Sequence, residues 1–129
     1  MEEKRVSLWI GTFDSYDRMK DYFKNGYTED GDRIESQFED NFEIEDIDED
    51  LYEIQFYPDQ LIAIKNLIEG CSYEEQVIPK FNEEINNADK ISGNTVALLY
   101  DYMYNNEIKL REGEGYSISY IGTVRYNEA

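Results

Sequence analysis

Residues 95–104 read TVALLYDYMY. The run is apolar on nearly every position of both parities and rich in β-branched and aromatic side chains, the composition of a strand with structure on both faces. It predicts the central strand of a sheet. Residues 5–11, RVSLWIG, alternate Val6, Leu8 and Ile10 against Arg5, Ser7 and Trp9, the period of two expected of a strand with one clearly apolar face. Tyr52, Ile54 and Phe56 alternate with Glu53 and Gln55 in the same way, and Pro58 closes that run. Tyr116, Ile118, Tyr120, Val124 and Tyr126 share one parity against Ser117, Ser119, Thr123 and Arg125. This predicts a last, one-sided strand with Gly122 as the place for a bulge. The 105–115 connection is long for a tight hairpin and short for a helical crossover, so the strands on either side of it are expected to pair antiparallel.

Between the strands the period changes. Asp14 or Ser15 offers an N-cap, and Tyr16, Met19 and Phe23 follow at helical spacing, predicting a helix over 15–24 that Asn25-Gly26 ends. Asp30-Gly31 signals a turn. Ile34, Phe38 and Phe42 lie four apart, predicting a short amphipathic helix near 34–41 with Glu35, Glu39 and Asp40 facing water. Leu61, Ile64 and Ile68 predict a helix over 59–69 stopped by Gly70. Ser72 and Glu75 form a capping-box pattern for another, with Tyr73, Val77, Phe81 and Ile85 on its inner face and Pro79 kinking or restarting it. The order β–α–α–β–α–α–β–β gives an α+β fold: one domain over residues 1–129, with a small mixed or antiparallel sheet of about four strands and helices packed mainly on one face.

The 129 residues carry 12 basic and 30 acidic side chains, no histidine, and a net charge of −18. That length suits a single domain. An aromatic fraction of 15% excludes a disordered acidic tail, which is poor in such residues. The single cysteine, Cys71, excludes an intrachain disulfide and a multi-cysteine metal site, and fits a reducing compartment. The N-terminal residues lack the apolar core of a signal peptide, and no run approaches the ~18 apolar residues of a membrane span. The expected location is the cytoplasm. The charge is focused: from Tyr27 to Glu53 thirteen acids meet one base, Arg33, so this window holds −12 of the −18. Such a field repels nucleic acid and anionic membranes and attracts cationic partners. Self-repulsion favours a monomer when free.

The chemistry-bearing residues are sparse. Without histidine the commonest general base and metal ligand is missing, and Cys71 has no Cys–His partner. No serine sits in a G-x-S-x-G elbow. Gly113-Glu114-Gly115 is too short to cradle phosphate, and its Glu would repel one, so it reads as a loop. Asp46-Ile47-Asp48-Glu49-Asp50 opens like a calcium loop, but Leu51 stands where the sharp turn needs Gly and Tyr57 where the bidentate Glu belongs. With thirty acids, close carboxylate pairs carry no specificity for hydrolysis. The reading is therefore a non-enzyme with no catalytic residue, metal or cofactor. Tyr100, Tyr102, Tyr104, Tyr116, Tyr120 and Tyr126 fall at strand spacing and are expected to pack on sheet faces with hydroxyls reaching water. Tyr27, Tyr52 and Tyr57 flank the acidic window, where a protein-binding surface places its anchors.

Four segments, VSLWIGTF at 6–13, YTEDGDRIESQFEDNFEI at 27–44, DEDLYEIQFY at 48–57 and GCSYEEQVIP at 70–79, resemble in order the immunity protein 22 family of bacterial polymorphic toxin systems. The W-x-G-x-F start, the Y-x-E-D-G-D turn and the S-Y-x-x-x-x-I-P segment are the distinctive parts. The resemblance implies a cytoplasmic antitoxin that binds a cognate toxin domain without catalysis. The charge adds a direction: nuclease toxins hold phosphates on basic surfaces, and an acidic, aromatic-flanked patch would cover one. The expected contacts are Asp30, Asp32, Glu39, Asp40, Glu43, Asp46, Asp48, Glu49 and Asp50, with Tyr52 and Tyr57 in support. The competing reading is a generic acidic adaptor or nucleic-acid mimic.

Overall fold

The computed structural model describes residues 2–44, 51–57, 62–63, 68–84 and 92–128. Its frame is an antiparallel sheet of five strands: β1 (Glu2–Phe13), β4 (Tyr52–Phe56), β7 (Thr95–Tyr100), β8 (Leu110–Gly113) and β9 (Tyr116–Glu128). Their spatial order is β4-β7-β1-β9-β8. Two-residue pairs flank it: β2 (Gly26–Tyr27) with β3 (Arg33–Ile34), and β5 (Ile62–Ala63) with β6 (Ser92–Gly93). The described helices are α1 (Tyr16–Phe23), α2 (Gln37–Phe42) and α3 (Glu74–Glu84). The α+β class and the antiparallel sheet are as the patterning predicts.

The centre of the sheet is β1. It pairs with β9 from Glu2↔Glu128 to Phe13↔Tyr116, and with β7 from Val6↔Tyr100 to Gly11↔Thr95. Both of its faces are buried. Val6, Leu8 and Ile10 join Val96, Leu98, Val77 and Phe81 under α3, while Trp9 and Phe13 join Phe23, Phe38 and Phe42 under α1 and α2. Two of the three described helices thus lie on one face and the third on the other. Ser7, on the aromatic side, is fully buried because its hydroxyl is used internally: it donates to the Tyr102 carbonyl at 2.8 Å and accepts from the Tyr104 N–H at 3.0 Å.

Several expectations change. The strand at 95–104 stops at Tyr100, where Asp101 turns left-handed at φ 55°. β7 and β9 do not pair: β1 lies between them, and the 105–115 connection instead contains the edge strand β8, which forms a tight hairpin with β9. The predicted bulge exists, as the register jumps from Leu8↔Gly122 to Trp9↔Tyr120. The extra residue, Ile121, inverts the faces of the strand beyond it. Ile118 therefore faces the aromatic side and Val124 and Tyr126 the other, so β9 is not one-sided.

The short helix forms later than predicted, at 37–42, because Ser36 caps it and the preceding Arg33 and Ile34 pair in a hairpin. The helix predicted over 59–69 is contradicted where the chain is described: Ile62–Ala63 is extended against Ser92–Gly93, and 68–70 is a turn. The rest of that prediction lies outside the described residues. Ser72 does not cap α3: its backbone N–H and hydroxyl donate to the Glu53 carboxylate at 2.9 and 2.7 Å. Pro79 sits inside α3, which continues through it, and Val77 and Phe81 face inward as predicted. Ile85 lies outside the described residues. Several of the tyrosine hydroxyls expected to reach water find partners inside the protein. Tyr100 donates to the Ser72 carbonyl at 2.9 Å and Tyr104 to the Ile108 carbonyl at 2.8 Å. Burial pushes the Tyr104 phenol up to about 12 and that of Tyr100 further.

Asn94, which carried no signal in the sequence, extends the sheet with its side chain. Its Oδ1 accepts from the Phe13 N–H at 2.9 Å and its Nδ2 donates to the Phe13 carbonyl at 2.7 Å, copying a residue of a strand. This anchors the end of β1 from which α1 and the acidic segment depart.

Candidate protein-binding surface

The acidic segment folds into two adjoining elements, the β2–β3 hairpin and α2. The hairpin closes through the Gly31 N–H to Thr28 carbonyl bond at 3.0 Å and the Asp32 N–H to Thr28 hydroxyl bond at 3.0 Å. Gly31 takes φ +87°, which explains the glycine in Y-T-E-D-G-D. Asp30 and Asp32 stand exposed at this tip. Tyr27, 64% exposed at its base, is the most open of the large apolar side chains described.

Helix α2 is fixed by a capping box. The Glu39 N–H donates to the Ser36 hydroxyl at 3.1 Å, and the Glu39 carboxylate accepts from the Ser36 N–H at 3.1 Å. The same carboxylate takes both arms of the Arg33 guanidinium, at 2.7 and 2.8 Å, which ties helix to hairpin. Glu39 is only 1% exposed. The expectation that it faces water is therefore corrected: its carboxylate is spent on the one base of the window. Burial alone would raise its pKa, but the hydrogen bonds from Arg33 and Ser36, with the Arg33 charge, outweigh that and hold it below the ordinary carboxylate value. Asp40 and Glu43 are exposed, and Glu43 ends the helix in the left-handed region at φ 53° while accepting from Asn106 Nδ2 at 3.1 Å.

So the structure brings Asp30, Asp32, Asp40 and Glu43 onto one clamped pair of elements. Asp46, Asp48, Glu49 and Asp50 lie outside the described residues. The two tyrosines are separated. Tyr52 packs among the α1 and α2 aromatics, 6.0 Å from the Phe38 ring, whereas Tyr57 packs on the opposite sheet face and donates to Gln55 Oε1 at 2.6 Å.

Sequence reasoning missed a neighbouring groove of about 510 Å³ between α1, α2 and the β8–β9 turn. Asp17, Asp21 and Glu114 line it together with Arg18, and Gln37 and Asn41 donate to the Tyr116 hydroxyl at its base, both at 3.1 Å. The spacing of Asp17 and Asp21 by four was the available signal; Glu114 sat in a segment read only as a loop. That segment is indeed the hairpin turn, with Gly115 at φ +77° where a Cβ would strike the Asp14 carboxylate and Arg18. Cys71 is buried, and burial together with the Glu53 charge pushes its thiol up to about 11, away from nucleophilic use. Among the described residues no group of acids, cysteine or histidine is placed to hold a metal ion, and no helix is long and apolar enough to cross a membrane.

A family model described as Immunity protein 22 matches residues 6–127. The chain belongs to the Immunity protein 22 family. The match begins in β1 and ends in β9, so on this chain it spans all five strands of the sheet and the three described helices. Comparison with curated proteins and with solved structures gives no match. The segments that resemble the Immunity protein 22 family in the sequence occupy definite places in the fold. W-x-G-x-F is the buried end of β1, Y-x-E-D-G-D is the β2–β3 hairpin, and S-Y-x-x-x-x-I-P leads into α3.

Proposed function

We propose that the protein neutralises a cognate bacterial toxin domain without catalysis, by laying the acidic surface of the β2–β3 hairpin and α2 over a cationic surface of that domain. Membership of the Immunity protein 22 family supports toxin neutralisation in general. The observation that carries the acidic surface is the clamp: Arg33 and Glu39 neutralise each other at the joint, and Asp30, Asp32, Asp40 and Glu43 are left facing solvent on rigid supports. Preorganised charges of one sign speed encounter with an oppositely charged partner and reject others. A nuclease toxin, whose site must hold phosphates, is the partner chemistry this surface fits best. Tyr27 supplies an aromatic anchor beside the charges. The protein then acts in the cytoplasm as a monomer that pairs with its toxin.

The test is co-expression with the toxin domain encoded beside it, paired with affinity measurements over a range of salt. Reversing Asp30, Asp32, Asp40 and Glu43 to lysine together is expected to weaken the complex by about a hundredfold or more and to flatten its salt dependence. Protection undiminished by that variant would reject this surface.

A further inference from the structure

Helix α1 divides its charges between two sides. Asp17, Arg18 and Asp21 line the first groove, whereas Lys20 and the C-cap Lys24, with no acid between them on that side, flank a second groove, of about 360 Å³, between α1 and β4. That second groove is apolar, lined by Tyr16, Met19, Phe23, Ile54 and Phe56. Lys20 lies over the Tyr16 ring at 5.3 Å, and neither lysine is ion-paired among the described residues. In a chain with 30 acids and 12 bases, two lysines that meet no carboxylate among the described residues, beside an apolar groove, stand out.

β4 is an edge strand. The Tyr57 N–H donates to the Asn94 carbonyl at 2.8 Å, continuing the register that pairs Phe56 with Thr95. In an antiparallel ladder bonding alternates, so Glu53, Gln55 and Tyr57 turn their backbone groups toward β7, and Ile54 and Phe56 turn theirs outward. Among the described residues no strand meets that outer side. The groove lies on the sheet face to which the Ile54 and Phe56 side chains point. A strand added there would place alternate side chains beneath α1: one in the groove, and its neighbours two residues away toward Lys20 and Lys24.

We propose that the β4 edge and this lysine-flanked groove take up an extended segment of a partner protein, in which a large apolar side chain stands between two carboxylates at alternate positions. Charge complementarity selects this occupant. A second copy would bring together two molecules of net charge −18. The charged side chains that line this groove are lysines, where those of the hairpin–α2 face are acids, and the proposal does not depend on the toxin reading.

The experiment titrates the full ¹⁵N-labelled chain with a capped probe peptide, Thr-Glu-Thr-Phe-Thr-Glu-Thr. The amides of Ile54 and Phe56 are expected to shift and to exchange more slowly with solvent. The K20E/K24E variant, its melting temperature held within a few degrees, should bind roughly tenfold more weakly. N-methylating the peptide's backbone donors should abolish binding. The proposal is overturned if the peptide with lysine in place of glutamate binds equally well. It is equally overturned if the shifts map away from Ile54 and Phe56, or if those amides stay unmoved because the chain's own residues cover the edge. Sedimentation showing that the edge is instead occupied by a second copy would also overturn it.

Discussion

The two faces of the sheet are covered in different ways. Under α3 the sheet presents Val6, Leu8, Ile10, Val96 and Leu98, a mainly aliphatic surface that receives Val77 and Phe81 from one helix of eleven residues. Under α1 and α2 it presents Trp9 and Phe13, and the covering helices have eight and six residues. Helices that short are marginal alone, so what holds them is packing and capping. The Trp9 ring meets Phe38 at 5.0 Å, Tyr104 at 5.2 Å, Tyr120 at 5.3 Å and Phe42 at 5.9 Å, mostly edge-on. Ser15 and Ser36 cap the two helices. In the hairpin and α2, large rings fix the inner side, one ion pair fixes the joint, and Asp30, Asp32, Asp40 and Glu43 are left outside.

The sharpest way to break this contrast is Trp9→Ala. Removing a fully buried indole at the centre of the aromatic cluster should cost about 3–5 kcal/mol in urea unfolding. A cost below about 1 kcal/mol would mean that this face is not core. Next, Glu39→Gln should cost about 2 kcal/mol, through loss of the charged partner of Arg33 and weakening of the capping box. This variant also carries a pH signature. A carboxyl held below its ordinary value in the folded state stabilises the fold above the unfolded value, and that stability is lost as pH falls through the lowered one. The parent protein should lose this component on acidification below the ordinary carboxylate range. The Gln variant should show a shallower acid dependence, and identical profiles would remove Glu39 from the account.

On the aliphatic face, Val77→Ala should cost about 1–3 kcal/mol, seen in the same unfolding titration. Pro79→Ala has the opposite sign. Pro79 lacks the N–H that would reach the Glu75 carbonyl, and its side chain is exposed, so alanine should stabilise α3 by about 1 kcal/mol and raise the melting temperature. A fall instead would indicate that the ring contributes packing. The smallest stability effect belongs to the acidic tip. Asp30→Asn and Asp32→Asn should each change stability by no more than about 0.5 kcal/mol, while slowing association with the partner at low salt.

Much of the fold was legible because it follows from local periodicity. Arg5–Gly11, Tyr52–Phe56 and Tyr116–Tyr126 alternate as strands do, and Ser15 and the Asp30-Gly31 turn behave as their chemistry predicts. The misreadings share one cause. Apolar spacing of three or four at Leu61, Ile64 and Ile68 resembles a helix, yet pairing with Ser92–Gly93 holds Ile62–Ala63 extended. Ser72 and Glu75 match a capping box, yet Glu53 from a distant strand takes the serine. Of the candidate surface, the concentration of carboxylates was visible, but the withdrawal of Glu39 was not. Nor was the separation of Tyr52 from Tyr57 onto opposite faces, although their difference of five residues encodes it once both are known to lie on or beside one strand.

By itself the sequence determined an α+β chain with a focused negative charge, because composition and short-range periodicity are local properties. It also marked the place of the bulge through Gly122. Only the tertiary structure decided that β1 is the middle of the sheet, that Ile121 turns β9 over, and which acids are spent inside. Those outcomes depend on which distant partner reaches each backbone group and each charge first, and no local pattern carries that information.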